Sequence, residues 1–236
     1  MENSKIQKLV FRKVGKALGD YKMIDEGDNI LVAISGGKDS IALVDILSIK
    51  QKYLPVKFKL YSVYVDFGFH TDQEVRYIEE FATSRVERHY IIKNKLEDIS
   101  CFWCSWNRRK EIFLLAKKLE CKKVALGHNL DDIVVTFLMN LFYHGEISTM
   151  PPKLEMFKGE IILLRPLVYV TSNEIQQYVI SKGLTVVENK CPYYNNNKIQ
   201  RRLFLNKLVS ELEALYPNIK MNIFNSLKKI KTEYLV

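Results

Sequence analysis

The feature that most restricts the fold is a short, nearly all-apolar run at residues 29–34 (N-I-L-V-A-I), which ends in a glycine pair and then opens into a helical pattern. An apolar run without polar alternation is what a strand buried on both faces requires, and strands of that kind belong to parallel sheets covered by helices. The pattern repeats along the chain. After a helical stretch at residues 39–52, residues 58–66, 89–93 and 123–127 read as strands, and residues 72–84, 107–119 and 130–142 read as helices. Strand and helix in alternation predict right-handed βαβ units and an α/β fold built on a parallel sheet. Residues 1–23 read as an amphipathic helix, with Ile6, Leu9, Val10, Val14 and Leu18 near helical spacing. Pro151-Pro152 breaks the chain, residues 161–164 are a further candidate strand, and residues 172–182 a helix with Ser172 as its expected N-cap. From about residue 198 the chain reads as helical, interrupted at Pro217. The expected division is a helical segment at 1–28, a catalytic domain at 29–190 and a helical segment at 191–236.

Composition excludes some classes. Hydrophobic residues make up 47% of the 236, enough for a real core. No apolar run approaches the roughly 18 residues that span a bilayer. The first residues are charged throughout and lack the apolar stretch of a secretory signal, so a cytoplasmic protein without a membrane partner is expected. The formal net charge of +9 suits a polyanionic partner, although a lysine-rich chain reaches that value without one.

The most informative hexapeptide is Ser35-Gly36-Gly37-Lys38-Asp39-Ser40, between the buried run and the helix. The carboxyl end of a parallel strand opens into a crevice. Glycines there let the backbone turn tightly and bring N–H groups to a ligand. The helix that follows offers unpaired N–H groups and the positive end of its dipole to an anion. Ser35 and Ser40 add hydroxyls and Lys38 a charge. The spacing is neither that of a Walker A loop nor G-x-G-x-x-G. A phosphate site explains the whole string better than an ordinary glycine turn does.

The four cysteines are Cys101, Cys104, Cys121 and Cys191. In a reducing compartment disulfides explain them poorly. Cys101-Phe102-Trp103-Cys104 precedes a helix and the basic run Arg108-Arg109-Lys110. A redox pair, a zinc site lacking its second pair, and an iron–sulfur cluster held by three thiolates are all open on the residues alone. Cys121 reads as a buried structural thiol.

Residues 35–40 resemble the signature of the PP-loop ATP pyrophosphatase superfamily, which has an adenine-nucleotide alpha-hydrolase-like, Rossmann-like domain. The resemblance implies cleavage of ATP between its α- and β-phosphates, with Mg²⁺ sharing the charge of the departing pyrophosphate. Asp39 is then a candidate for placing that ion, unless it serves only the first turn of its helix. Taken with Cys101-x-x-Cys104-Ser105, Arg108-Arg109, Gly127-His128-Asn129-Leu130-Asp131-Asp132, Met150-Pro151-Pro152-Lys153-Leu154 and Arg165-Pro166-Leu167, the chain resembles the tRNA 2-thiocytidine biosynthesis protein family. That resemblance implies a [4Fe–4S] cluster on Cys101, Cys104 and Cys191. It also implies adenylation of a tRNA base and replacement of the C2 oxygen of an anticodon-loop cytidine by sulfur. The donor would be a cysteine desulfurase or inorganic sulfide, and a homodimer is compatible with it.

Around Cys191 the chain departs from the bacterial pattern, reading Cys191-Pro192-Tyr193-Tyr194 where a Cys-Gly-Ser type context is usual. Related uridine-thiolating enzymes commonly add zinc-finger pairs, for which four cysteines are too few. Gly127 and His128 follow an apolar strand and so share the loop's crevice edge. His128 is a candidate contact to nucleotide phosphate or to the adenylate. Asp131 and Asp132 are taken together as candidates for Mg²⁺ binding or substrate orientation. Asp66 ends the second strand at the same edge, within reach of a ribose. Arg108 follows Cys104 by one helical turn and would steer tRNA or stabilise the activated base. Phe102, Trp103 and Trp106 suit either core packing or stacking on a flipped base. Arg201, Arg202 and Lys207 are candidate RNA backbone contacts. Two rivals stand beside this reading: a PP-loop ligase that uses nitrogen, and an RNA- or nucleotide-binding module without turnover.

Overall fold

The computed structural model describes residues 2–94, 101–188 and 197–234. A helix α1 (Glu2–Asp20) precedes β1 (Asp28–Ile34), α2 (Lys38–Lys50), β2 (Phe58–Asp66), α3 (Asp72–Thr83) and β3 (Arg88–Lys93). Then come α4 (Cys101–Lys118), β4 (Lys123–Ala125), α5 (Leu130–His144), β5 (Lys153–Met156), β6 (Ile161–Leu164), α6 (Ser172–Ser181), α7 (Asn197–Leu215) and α8 (Ile219–Ser226). The strands form one sheet in the order β3-β2-β1-β4-β6-β5. All neighbouring pairs are parallel except β5 with β6. The expected α/β fold with a parallel sheet and helical additions at both ends is what the chain adopts.

The strand order reverses between β1 and β4: the chain builds outward through β2 and β3, then returns to the other side of β1. A crevice therefore opens beyond the carboxyl ends of β1 and β4, where ligands of open α/β sheets bind. Along β1, Ile30, Val32 and Ile34 enter the larger core with α1, α2, α5 and α6, while Leu31 enters a smaller core under α4 with Val63, Ile112, Ala116 and Cys121. This two-sided burial is the cause of the unbroken apolar run. Cys121 is buried as a structural thiol, and burial pushes its pKa up to about 11.

Three local expectations are corrected, and one strand is added. The helix expected from residue 107 begins at Cys101, so the C-x-x-C lies in its first turn rather than before it. Trp103 and Trp106, three residues apart, meet edge to face at 5.6 Å, and the Trp103 carbonyl accepts a hydrogen bond from Asn107 Nδ2 at 2.9 Å. Contacts between successive turns thus extend a helix that aromatic and cysteine propensities alone do not favour. Thr171, not Ser172, is the N-cap of α6, because Glu174 completes a capping box with it. The strand expected to run to residue 127 ends at Ala125. Finally, β5 is a short antiparallel edge strand with no expectation attached to it. It joins β6 through a 3-10 turn in which Phe157 and Lys158 take positive φ of 52° and 55°.

Candidate active site at the carboxyl edge of the sheet

The loop after β1 is held in shape by Ser40. Its hydroxyl donates to the Gly37 carbonyl at 2.9 Å, accepts from the Ser35 N–H at 3.1 Å, and lies 3.2 Å from the Ser35 hydroxyl. Gly36 has φ +81°, open to glycine with little strain, and a Cβ there would meet Ile78 Cδ1 at 2.9 Å. Gly37 is the N-cap of α2 and supplies no side-chain cap. The first turn of α2 thus presents backbone N–H groups without a capping acceptor, the arrangement an anion completes.

The side chains around the loop form a chain of contacts. Lys38 Nζ donates to Asp39 Oδ1 at 2.7 Å and to the Ser172 hydroxyl at 2.8 Å, and Asn129 Nδ2 donates to the same Asp39 oxygen at 2.9 Å. Gly127 lies against α2: a Cβ on it would be 3.1 Å from the Asp39 carbonyl carbon and 3.1 Å from the Ser40 nitrogen. Only glycine lets the end of β4 come this close to the phosphate loop.

The two adjacent carboxylates have separate partners. Asp131 Oδ2 accepts the Ser172 N–H at 2.8 Å, and its Oδ1 is 2.8 Å from Lys220 Nζ on α8. Burial alone would lower the Lys220 pKa; its bonds to Asp131 and Glu213 outweigh burial and raise it. Asp132 completes the N-terminal capping box of α5 with Asn129 and pairs with Arg202 Nη2 at 3.1 Å. Burial raises the Asp132 pKa, opposed by its hydrogen bond from the Asn129 backbone and by the Arg202 charge. Arg202, expected as an RNA contact, is therefore engaged at the crevice. Arg201 lies over the Tyr143 ring at 4.6 Å, and Lys207 is 3.9 Å from Glu211.

The start of α4 reaches the same edge. Arg108 Nη2 is 3.7 Å from Cys104 Sγ, and the Arg108 guanidinium sits over the Phe67 ring at 5.2 Å. Phe67 directly follows Asp66, the last residue of β2, and Asp66 Oδ1 accepts the Gly68 N–H at 2.8 Å. Cys101 begins the helix one turn before Cys104. Cys191 lies outside the described residues. Val187, four positions before it, donates its N–H to the Gly36 carbonyl at 3.0 Å and so lies against the phosphate loop. Among the described residues no group of three His, Cys, Asp or Glu side chains could hold a metal ion.

Arg165 was not assigned a role from the sequence, whereas His128 was expected to contact nucleotide phosphate or the adenylate. Arg165, one residue past β6, is 5% exposed; its Nη1 donates to the Pro151 carbonyl, while Nε is buried with no partner among the described residues. His128 Nδ1 is likewise buried, with no partner among the described residues. Burial holds the His128 pKa down to about 4, helped by the charges of Arg165, Arg202 and Arg109, so the imidazole is neutral near pH 7. A signal for Arg165 existed in the sequence: a cation closes the apolar run I-I-L-L at the edge where strands deliver site residues. A separate cavity of about 940 Å³ opens between α4 and the β5–β6 hairpin, lined in part by Trp106, Arg109, Phe113, Leu114 and Phe157. It contains none of the loop residues.

Comparison with known proteins agrees with this geometry. Residues 6–209 match the PP-loop domain family. The tRNA-cytidine(32) 2-sulfurtransferase of Syntrophotalea carbinolica is 36% identical over 98% of this chain and 94% of its own. Its counterpart in Geobacter sulfurreducens is 37% identical over 97% and 92%. Among solved structures, the U34-tRNA thiolase NcsA from Methanococcus maripaludis with its [4Fe-4S] cluster is similar, with a TM-score of 0.81 at 21% identity. That match covers 99% of this chain and 82% of NcsA, and speaks to the fold. The chain belongs to the PP-loop domain family, in the group that contains the tRNA-cytidine(32) 2-sulfurtransferases.

Proposed function

We propose that this chain is an ATP-dependent tRNA sulfurtransferase that adenylates the C2 oxygen of an anticodon-loop cytidine and exchanges that oxygen for sulfur. One observation carries the reading: the uncapped phosphate loop after β1, the Gly127 approach after β4 and the cysteine-bearing start of α4 share one edge of the sheet. A carbonyl-type oxygen is a poor leaving group and its adenylate a good one. The oxygen attacks the α-phosphorus of ATP, and the bond to the β-phosphate breaks. Pyrophosphate leaves into residues 35–40, where backbone N–H groups and Lys38 meet its growing charge. A sulfur nucleophile then forms the C2–S bond as the C2–O bond to AMP breaks.

Since no trio of ligating side chains stands among the described residues, Mg²⁺ fits best as an ion carried on the triphosphate, with Asp39 beside it. The start of α4 fits one side of an iron–sulfur cluster, with Cys101 and Cys104 one turn apart and a guanidinium beside Cys104 Sγ. Cys191 would be the third ligand. When bound, a cluster held by three thiolates supplies an iron with an open position for sulfur. Arg108 orients the Cys104 thiol and adds positive charge where anionic RNA arrives. The chain's role places it in the reducing cytosol, with residues 29–190 as the catalytic body. Sulfur is received from a desulfurase or sulfide, and a homodimer is compatible with these assignments.

The relatives' names favour cytidine over uridine. Anaerobic reconstitution with iron and sulfide, followed by mass spectrometry of nucleosides from treated tRNA, tests the reading. The expected product is 2-thiocytidine, with one AMP and one pyrophosphate released per sulfur. Full activity in protein free of iron ends the cluster assignment, and thiolated uridine ends the cytidine assignment.

A further inference from the structure

Arg165 follows β6, which lies across β4 from the strand that carries the phosphate loop. β4 and β6 are parallel neighbours with Ala125 opposite Leu164, and the Leu126 N–H donates to the Leu164 carbonyl at 2.9 Å. Arg165 and His128 therefore follow the ends of adjacent strands, near enough for the Arg165 charge to act on the imidazole. Both carry a buried nitrogen with no partner among the described residues, Nε of Arg165 and Nδ1 of His128. The Arg165 head is held through Nη1, which donates to the Pro151 carbonyl.

The local charge is unbalanced. Arg109, on α4, is close enough for its charge to act on both Arg165 and His128, and Arg202 acts on His128 as well. The nearby acids are occupied: Asp39 by Lys38 and Asn129, Asp132 by Arg202. Burying a guanidinium with an idle donor beside another guanidinium is costly, and an anion accepting from that donor relieves the cost. The phosphate loop cannot be that partner, because its own N–H groups lie at the end of β1.

We propose that Arg165, with Arg109 and His128, forms a binding subsite for a phosphodiester-type oxygen, distinct from the pyrophosphate loop of residues 35–40. A phosphate at this place would come either from the RNA backbone next to the base being modified or from the α-phosphate of the adenylate. The RNA source rests on the function proposed above; the anion site does not. A subsite of this kind fixes the splayed nucleotide between two phosphate grips, so that the reacting oxygen faces the α-phosphorus.

The test uses the full chain and three probes of the subsite, an anticodon stem-loop RNA, AMP and inorganic phosphate, with pyrophosphate as the control for residues 35–40. The Nε–H resonance of Arg165 is followed by ¹⁵N NMR, and affinities are measured for wild type, Arg165→Lys, Arg165→Gln and Arg109→Gln. If the source is RNA, the stem-loop moves the resonance. Arg165→Gln then weakens RNA binding on the order of tenfold or more and lowers the log-affinity against log-salt slope by about 0.7–0.9. Pyrophosphate affinity stays at the wild-type value, and Arg165→Lys recovers part of the loss. If AMP moves the resonance and loses affinity while RNA does not, the site stands with the nucleotide as its source. A resonance indifferent to all three probes overturns the proposal. So does a variant whose melting temperature falls while RNA, AMP and pyrophosphate affinities drop together, since Arg165 would then only brace the turn at Pro151. Wild-type protein that shows no tRNA-dependent pyrophosphate release sinks the thiolation reading and leaves the phosphate arm of this test intact.

Discussion

Gly127 and Asp39 touch through their backbones: a methyl group on Gly127 would sit 3.1 Å from the Asp39 carbonyl carbon and 3.2 Å from its oxygen. The first turn of α2 and the end of β4 are thereby locked together, and the phosphate loop takes its position from that contact.

Gly127→Ala is expected to push α2 away by a few tenths of an ångström, because the obstacle is backbone rather than a flexible side chain. Overpacking of this kind costs about 1–3 kcal/mol. ATP affinity should fall with it, while the RNA salt slope stays unchanged. Thermal unfolding with and without ATP measures both; unaltered ATP stabilisation in the variant would remove the loop-positioning role of this glycine.

Cys101→Ala, Cys104→Ala and Cys191→Ala should each abolish thiolation and lower bound iron, with ATP binding retained because residues 35–40 are untouched. Cys121→Ala should keep both, since Cys121 is packed in the smaller core under α4. Iron analysis and nucleoside mass spectrometry on the four variants separate the classes. Retained thiolation in Cys191→Ala would favour a chemistry without clustered thiols.

Asp131→Asn should act mainly on stability. Both Asp131 oxygens are engaged, one at the start of α6 and the other on Lys220 of α8. Removing its charge strips a buried lysine of one partner, while Glu213 remains. The expected cost is about 2–3 kcal/mol, at or below the low end for breaking a buried pair. Urea unfolding of Asp131→Asn, with Lys220→Met as the matching partner in a double-mutant cycle, gives the coupling. A cycle with no coupling would return Asp131 to the chemistry.

Acid should weaken the fold through His128. Its folded pKa is depressed to about 4 from the ordinary 6.5, with burial as the main cause. The unfolded chain therefore takes up a proton on this ring that the folded chain refuses. The sign follows: stability is level above about pH 6.5 and falls as pH drops toward 4, by up to about 3 kcal/mol. His89 acts in the same window, because burial also holds its pKa to about 4. In His128→Asn, unfolding free energy plotted against pH should be flatter between these limits. An unchanged slope would mean that His128 is not buried as a neutral ring.

Much of the architecture could be read from spacing. Alternating apolar runs and helical patterns gave the sheet and its helices, since burial on two faces leaves no polar alternation in β1. The antiparallel β5 could not be read this way. Four residues with two charges carry little periodicity, and in its turn Phe157 and Lys158 take left-handed conformations ahead of Gly159, so the lone glycine does not show the turn's extent. The start of α4 was placed late because Cys, Phe and Trp are indifferent helix formers, and the contact of Trp103 with Trp106 across one turn is not visible in propensity.

The amino-acid order alone determined the phosphate loop, because tight turning and exposed N–H groups depend on residues next to one another. It also placed the cysteine pair before the basic residues of α4. Tertiary structure alone decided that Asp131 ties α6 to α8, that Gly127 abuts Asp39, and that Arg165 is buried with an idle donor. Those relationships join residues far apart in the chain, and only strand order and helix packing set the distances between them.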